Sequence, residues 1–370
     1  MTIAYVCPVL AEHGGVERIL IDKMNLLSRM YGYDVCLITY DQGQHPLPFP
    51  LDTRVRHVDL GVRTHSQYQY GGFRRLWEGF RLSRLLRQRL AAEIARVKPH
   101  VIVATTAGPL SLLMRLKGQT PIVVESHGGY DHLIDYPVLN WHHRLDLRHR
   151  YRLLRHADAI VTLTEADAQR WQKHGYTVHV IPNVAHLSST PPEAKDDRQG
   201  ALFVGRLAPQ KGIPELAAVW RLVVQRHPDW QLHVYGNGDA QPLLGVDGIC
   251  VHEAVDDVFP CYQASAMLLL TSRWEPFGLV VPEAMSCGLP VVAFETDGPS
   301  SMISDGKDGF LVKNRDVQTF ANRVCQLIED PALRCSMGQA AASSSRRYTA
   351  EAVMPRWKEL FEKSKLVKKS

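Results

Sequence analysis

Short apolar runs alternate along this chain with longer segments whose apolar residues recur every three to four positions. The first pattern fits a strand buried on both faces, the second a helix with one buried side. In the first half, residues 3–7, 35–39, 101–104, 122–124, 159–162 and 178–181 predict strands. Residues 16–30, 73–97, 110–116 and 141–155 predict helices between them. The alternation then breaks. Residues 185–200 shift to Ser, Thr, Pro and charge and read as a linker. It restarts with strands at 202–204, 231–235, 267–270, 291–294 and 310–312. Residues 354–366 predict a last, basic helix.

Strand–helix alternation of this kind builds parallel sheets covered by helices on both faces. The expected class is α/β, with two doubly wound, Rossmann-like domains. The expected boundaries are 1–184 and 185–349, with 350–370 returning to the first domain. A chain of 370 residues with 45% hydrophobic content is long enough for two such cores.

Composition narrows the setting. No run of 18 uncharged apolar residues exists, so no transmembrane helix is expected. The chain enters its first strand directly, without a basic region and cleavage site ahead of it, which predicts a cytoplasmic protein. Cysteines stand at 7, 36, 250, 261, 287, 325 and 335, with no C-x-x-C and no metal-type spacing, which predicts reduced thiols. Charge is uneven. Residues 1–184 hold 23 Lys and Arg against 16 Asp and Glu, while the remainder holds 20 against 22. The excess concentrates at 74–98 and 144–155. It points to an anionic partner: nucleic acid, an acidic membrane face or a phosphorylated substrate.

Four segments carry candidate chemistry. In Trp274-Glu275-Pro276-Phe277-Gly278-Leu279-Val280-Val281-Pro282-Glu283, two carboxylates flank a strand-to-helix turn. Open α/β sheets bind ligands there, outside the carboxyl ends of the strands. Glu275 is expected in the loop and Glu283 in the helix, with 284–288 helical and Gly288 as its stop. The second segment is Phe203-Val204-Gly205-Arg206-Leu207-Ala208-Pro209-Gln210-Lys211-Gly212. Arg206 offers a planar fork and Lys211 a mobile point charge for a diphosphate, just ahead of a helix N-terminus. The third is Glu12-His13-Gly14-Gly15-Val16-Glu17-Arg18, directly after the first strand. It lacks the third glycine of G-x-G-x-x-G, which counts against a dinucleotide cofactor. The fourth is Val123-Val124-Glu125-Ser126-His127-Gly128-Gly129-Tyr130-Asp131-His132, in which His127 lies just beyond a strand end.

The 24 residues from Thr271 to Phe294 carry a signature, E-x7-E, that resembles the retaining nucleotide-sugar glycosyltransferases of family 4. The other three segments fit the same resemblance, which extends over nearly the whole chain. It implies a GT-B fold, two Rossmann-like domains facing across a cleft. It implies a nucleotide-sugar donor, UDP- or GDP-linked, held mainly by the second half, and a glycan or lipid-linked acceptor held by the first. Arg206 and Lys211 would bind the diphosphate, and Glu283 the ribose hydroxyls. Glu275 would contact the sugar near the reacting carbon, with Phe277, Gly278 and Leu279 completing the turn. Gly15 would approach the donor phosphates and Gly14 the acceptor. His127 would lie near the transferred sugar, with Asp131 and His132 as acceptor contacts. The pathway implied is bacterial surface polysaccharide or lipopolysaccharide synthesis at the inner face of the cytoplasmic membrane.

One departure stands out. The family often carries Gly-Gly-x-x-Glu after the strand that follows E-x7-E. Here that stretch is Thr296-Asp297-Gly298-Pro299-Ser300-Ser301-Met302, without the glutamate. There is also no D-x-D. Asp196-Asp197 falls in the linker, and Asp256-Asp257 is expected on a helix. No cofactor and no metal site are therefore predicted. The other readings are a phosphorylase or epimerase on the same scaffold, a nucleotide-dependent oxidoreductase, and a nucleic-acid-binding protein using the basic half.

Overall fold

The computed structural model describes residues 1–12, 14–105, 109–131, 141–189 and 200–366. The chain divides into two compact units, Met1–Ile181 with Met354–Ser370, and Pro182–Val353.

Unit 1 is built on seven strands: β1 (Thr2–Cys7), β2 (Asp34–Thr39), β3 (Arg56–Asp59), β4 (Val101–Thr105), β5 (Ile122–Glu125), β6 (Ala159–Thr162) and β7 (Val178–Val180). They lie in the order β3-β2-β1-β4-β5-β6-β7. Neighbouring strands are parallel. The helices are α1 (Gly15–Tyr31), α2 (Gly72–Val97), α3 (Leu110–Leu116), α4 (Trp141–Leu154) and α5 (Glu165–Lys173). The central strands are buried on both faces because helices cover both, which is why they read as unbroken apolar runs. Ala4, Val6, Ile38, Ile102, Ile122 and Ile160 pack with Leu82, Leu86 and Leu90 of α2 and Trp171 of α5.

Unit 2 repeats the plan with β8 (Ala201–Val204), β9 (Leu232–Tyr235), β10 (Ile249–His252), β11 (Met267–Leu270), β12 (Val291–Phe294) and β13 (Gly309–Val312). Their order is β10-β9-β8-β11-β12-β13, again parallel. The helices are α6 (Ile213–Arg226), α7 (Phe259–Ala264), α8 (Val280–Ser286), α9 (Asp297–Met302), α10 (Val317–Glu329), α11 (Pro331–Ser345) and α12 (Ala350–Leu366), the last running on into unit 1. Phe203, Trp220, Leu269, Phe294 and Phe320 lie in its core. In each unit the strand order reverses once, between β1 and β4 and between β8 and β11. Ligands enter doubly wound sheets at such reversals.

Three expectations need correction. Strands β3 and β10 were not expected; β3 carries no apolar run, and β10 only the three residues Ile249, Cys250 and Val251. Residues 185–200 are not a free linker throughout. Ala185 is buried, its N–H donates to the Tyr348 carbonyl at 2.9 Å, and the Ser188 N–H donates to Ser286 Oγ at 2.9 Å. Asp196 and Asp197 lie outside the described residues. Asp256 and Asp257 are in the loop before α7 rather than on a helix, where Asp257 Oδ1 accepts from the Phe259 N–H at 3.1 Å. Among the described residues, no helix is long and apolar enough to cross a membrane.

Candidate functional site

In unit 2 the chemistry gathers at the strand-order reversal. The loop after β8 holds Arg206 and Lys211, and the loop after β11 holds Glu275. Lys211 Nζ donates to Glu275 Oε2 at 2.5 Å, and Ser272 Oγ donates to the same oxygen at 3.1 Å. Glu275 is only 6% exposed, so this pair is a built feature and not a solvated contact. Backbone packing fixes the two loops. Thr271 Oγ1 donates to the carbonyls of Lys211 and Gly212 at 3.1 and 3.2 Å. Gly212 has φ +66°, and a Cβ there would collide with the Thr271 carbonyl oxygen, so only glycine lets the loops close. Arg273 adds a bidentate pair to Glu215 on α6, at 2.7 and 3.0 Å. Arg206 is exposed.

Helix α8 begins at Val280, with Leu279 as its N-cap, and ends before Gly288. It therefore starts four residues ahead of the expected 284–288. Glu283 lies on it, 4% exposed, and accepts from the Tyr262 hydroxyl at 3.1 Å. Tyr262 is itself fully buried on α7. The ring of Phe277 is 4% exposed and meets Tyr348 edge-on at 5.7 Å. Gly278 has φ +85°. Gly298 of α9 lies against this turn. Its N–H donates to the Glu275 carbonyl at 2.8 Å, and a Cβ would collide with the Phe277 carbonyl. The segment lacking the family glutamate thus braces the E-x7-E turn through its backbone.

In unit 1, His127 and a buried ion pair come together near the end of β5. Glu125 and Lys23 of α1 are 2 and 5% exposed and in direct contact. The His127 Nε2 stands 3.1 Å from Glu125 Oε2, off the line of a good hydrogen bond. Lys23 Nζ also lies 4.2 Å from the ring centre of Trp357, on α12. Burial pulls the Lys23 ammonium below its ordinary pKa, opposed by Glu125. Burial pushes Glu125 upward, yet the Lys23 charge and His127 outweigh it and hold its carboxyl below the usual range.

Gly14 is the N-cap of α1, and a Cβ there would collide with the Glu17 carboxylate. A Cβ at Gly15 would meet nothing within 4 Å. Asp131 is half exposed, and its Oδ2 lies 3.0 Å from Arg170 Nε. His13 and His132 lie outside the described residues. Sequence reading missed Tyr262, Lys23 and Glu125. The usable signal was a lysine inside the apolar stripe Leu20, Ile21, Met24 and Leu27, since a charge on a buried face needs a buried partner.

Two family models match the chain. Glycosyltransferase Family 4 covers residues 13–189, and Glycosyl transferases group 1 covers 198–330. The amylovoran biosynthesis glycosyltransferase AmsD of Erwinia amylovora is 25% identical over 95% of this chain and 97% of its own. Sucrose-phosphate synthase of Thermosynechococcus elongatus superposes with TM-score 0.78 at 21% identity, covering 98% of both chains. Anabaena HepE, solved with UDP and glucose, gives TM-score 0.69 at 20% identity over 98 and 100%. A parallel, doubly wound unit under each family model, with the E-x7-E turn at the strand-order reversal of the second, makes this chain a family 4-type glycosyltransferase of the GT-B fold.

Proposed function

We propose that the chain is a retaining hexosyltransferase that moves a sugar from a UDP- or GDP-linked donor to a glycan or lipid-linked acceptor in surface polysaccharide or lipopolysaccharide synthesis. The observation that carries this reading is the Lys211–Glu275 pair at the β8/β11 reversal, with Glu283 on the helix that follows. A sugar diphosphate needs cationic charge for its phosphates and acceptors for its hydroxyls, and these residues supply both. The AmsD name and the UDP and glucose bound to HepE favour the same class.

In the proposed mechanism Arg206 and Lys211 neutralise the departing diphosphate, the main electrostatic task of the step. Glu283 accepts from the ribose hydroxyls, which a carboxylate suits because it offers acceptors only. Glu275 accepts from the sugar hydroxyls near the reacting carbon, with Phe277, Gly278 and Leu279 shaping the turn around it. Gly15 gives the donor phosphates room in unit 1. The acceptor, bound near Gly14, His127 and Asp131, attacks from the face the leaving group vacates. Its proton passes to the leaving phosphate, and configuration is retained. The two cationic side chains stand in for a divalent ion, and no cofactor takes part. The excess of Lys and Arg in the first half supports a peripheral position at the inner face of the cytoplasmic membrane.

A donor screen tests this. Purified protein is given a panel of nucleotide sugars, with and without lipid-linked acceptors, in EDTA. Released nucleotide and the anomeric configuration of the product are measured. Transfer with retention in EDTA is expected. An inverted product overturns the mechanism, and activity restored only by Mn²⁺ overturns the metal-free part.

A further inference from the structure

The first half of α2 carries an apolar face that the fold does not use. The buried stripe of this helix starts only at Leu82 and continues through Leu86, Leu90 and Val97. Ahead of it, Phe73, Leu76, Trp77 and Phe80 are 81, 72, 56 and 69% exposed. Their i, i+3, i+4, i+7 spacing places them in one ridge, roughly 130° around the helix from the buried stripe at about 100° per residue. One exposed leucine is ordinary, but four large apolar side chains on one exposed face mark an interaction site.

The same face changes character along the helix. Arg84 and Arg87 occupy the next two turns of the ridge's own stripe. Across a groove of about 780 Å³ stands Arg115 of α3. Arg74 and Arg75 lie on other faces of the same first turn, their guanidinium groups 4.2 and 4.6 Å from the ring centres of Tyr70 and Tyr68. The one acid of the helix between 72 and 92, Glu78, is engaged by Arg81 at 2.8 Å. An apolar tip followed by a basic collar matches a lipid monolayer in depth, hydrocarbon first and phosphate above it. Lying along the surface with its N-terminal end tilted down, the helix can sink this ridge the roughly 5–10 Å of an interfacial apolar face, while Arg74, Arg75 and Glu78 lie on its other faces.

We propose that the first two turns of α2 insert into a bilayer containing anionic phospholipid, with Phe73, Leu76, Trp77 and Phe80 in the acyl layer and Arg84 and Arg87 at the phosphates. Charge argues against a second copy of this chain as the occupant, because a two-fold pairing of the face brings the same arginines together. The proposal deepens the reading of a lipid-linked acceptor and rests on it only for its purpose. Attachment is measured without donor or acceptor, so a failure of the sugar chemistry leaves this result standing.

The test is flotation of the full chain with vesicles of phosphatidylcholine alone and with about one-third phosphatidylglycerol, at low salt and at about 0.5 M NaCl. Binding to the anionic vesicles is expected, reduced but not abolished by salt, since salt screens the arginines and leaves the inserted ridge. Phe73→Ser with Trp77→Ser should weaken it about tenfold and remove the salt-resistant part. Arg84→Ser with Arg87→Ser should weaken it at low salt and flatten the salt dependence. Trp77→Phe should keep binding and lose tryptophan quenching by brominated lipid. All these side chains are exposed, so the melting curves should match the wild type. Equal binding by the ridge variant overturns the proposal, as does no binding to anionic vesicles. A wild-type dimer in sedimentation that the ridge variant converts to monomer also overturns it, in favour of a second copy.

Discussion

Glu283 illustrates how much of the site a sequence can disclose. Its place on a helix after a loop glutamate was legible from the motif and the preceding apolar strand. Its burial and its partner Tyr262 were not, because a contact across 21 positions leaves no local pattern. The partner changes the experiment. Removing the carboxylate outright takes a 3.1 Å hydrogen bond from the buried Tyr262 hydroxyl, so Glu283→Ala mixes a folding cost with a binding cost. Glu283→Gln keeps an acceptor for Tyr262 and removes the charge. We expect donor affinity to fall by about 1.5–3 kcal/mol, the range for charged hydrogen bonds, with the melting temperature little changed. Unchanged affinity by calorimetry would remove the ribose role. Lys211 and Glu275 form a second such case. Lys211→Met strands a buried carboxylate and should cost roughly 3–5 kcal/mol of unit 2 stability. Adding Glu275→Gln should recover most of that stability but no transfer activity. Recovery of activity in the double variant would mean the pair is structural only.

At the scale of elements, sequence patterning succeeded where burial was two-sided. Met267–Leu270 and Val291–Phe294 lie inside the sheet, and their apolar runs coincide with β11 and β12. The two missed strands each lie at one edge of their sheet, while β7 and β13 at the opposite edges were legible. Arg56–Asp59 and Ile249–His252 each pair on one side only and are partly exposed, so the first needs no apolar run and the second has one of only three residues, too short to mark a strand. The bracing of the E-x7-E turn by α9 was equally invisible, since it runs through the backbone of Gly298. That brace predicts that Gly298→Ala displaces the turn. The obstacle is a carbonyl rather than a flexible side chain, so the cost should be about 1–3 kcal/mol, typical of overpacking, with loss of donor binding. Gly15→Ala is the contrasting case. Open space surrounds that position, so stability should stay within about 0.5 kcal/mol, while turnover should fall if the proposed donor phosphates occupy that space. Chemical denaturation and initial rates on the two variants separate a glycine needed for packing from one needed for access.

For the whole molecule, the buried titratable groups set how stability responds to acid. His57, His179 and His233 are all held below their ordinary pKa, in each case first by burial. Asp59 partly opposes this at His57, while Lys363 adds to it at His179 and His252 adds to it at His233. A histidine whose folded pKa is lowered binds its proton more readily in the unfolded chain. Its contribution is complete above the unfolded value of 6.5 and is lost as pH falls through the folded value. Glu125 acts in the same direction at lower pH. Its carboxyl is held down by Lys23 and His127, so its contribution is complete above 4.5 and drains away below it. Two stages of acid destabilisation are therefore expected. The first opens below pH 6.5 and touches both units, because His57 and His179 lie in unit 1 and His233 in unit 2. The second opens below pH 4.5 in unit 1, where Glu125 is joined by the exposed Glu359, and reaches unit 2 below 3.8 through Asp316. Thermal or urea unfolding from pH 8 to pH 4 reads both. His57→Asn should flatten part of the first stage in unit 1 and leave unit 2 unmoved, while Glu125→Gln should shrink the second stage in unit 1 at a cost in stability at neutral pH. A midpoint that holds constant from pH 7.5 to 5 would mean these histidines take up protons in the folded chain as readily as in water, and the burial argument would fail.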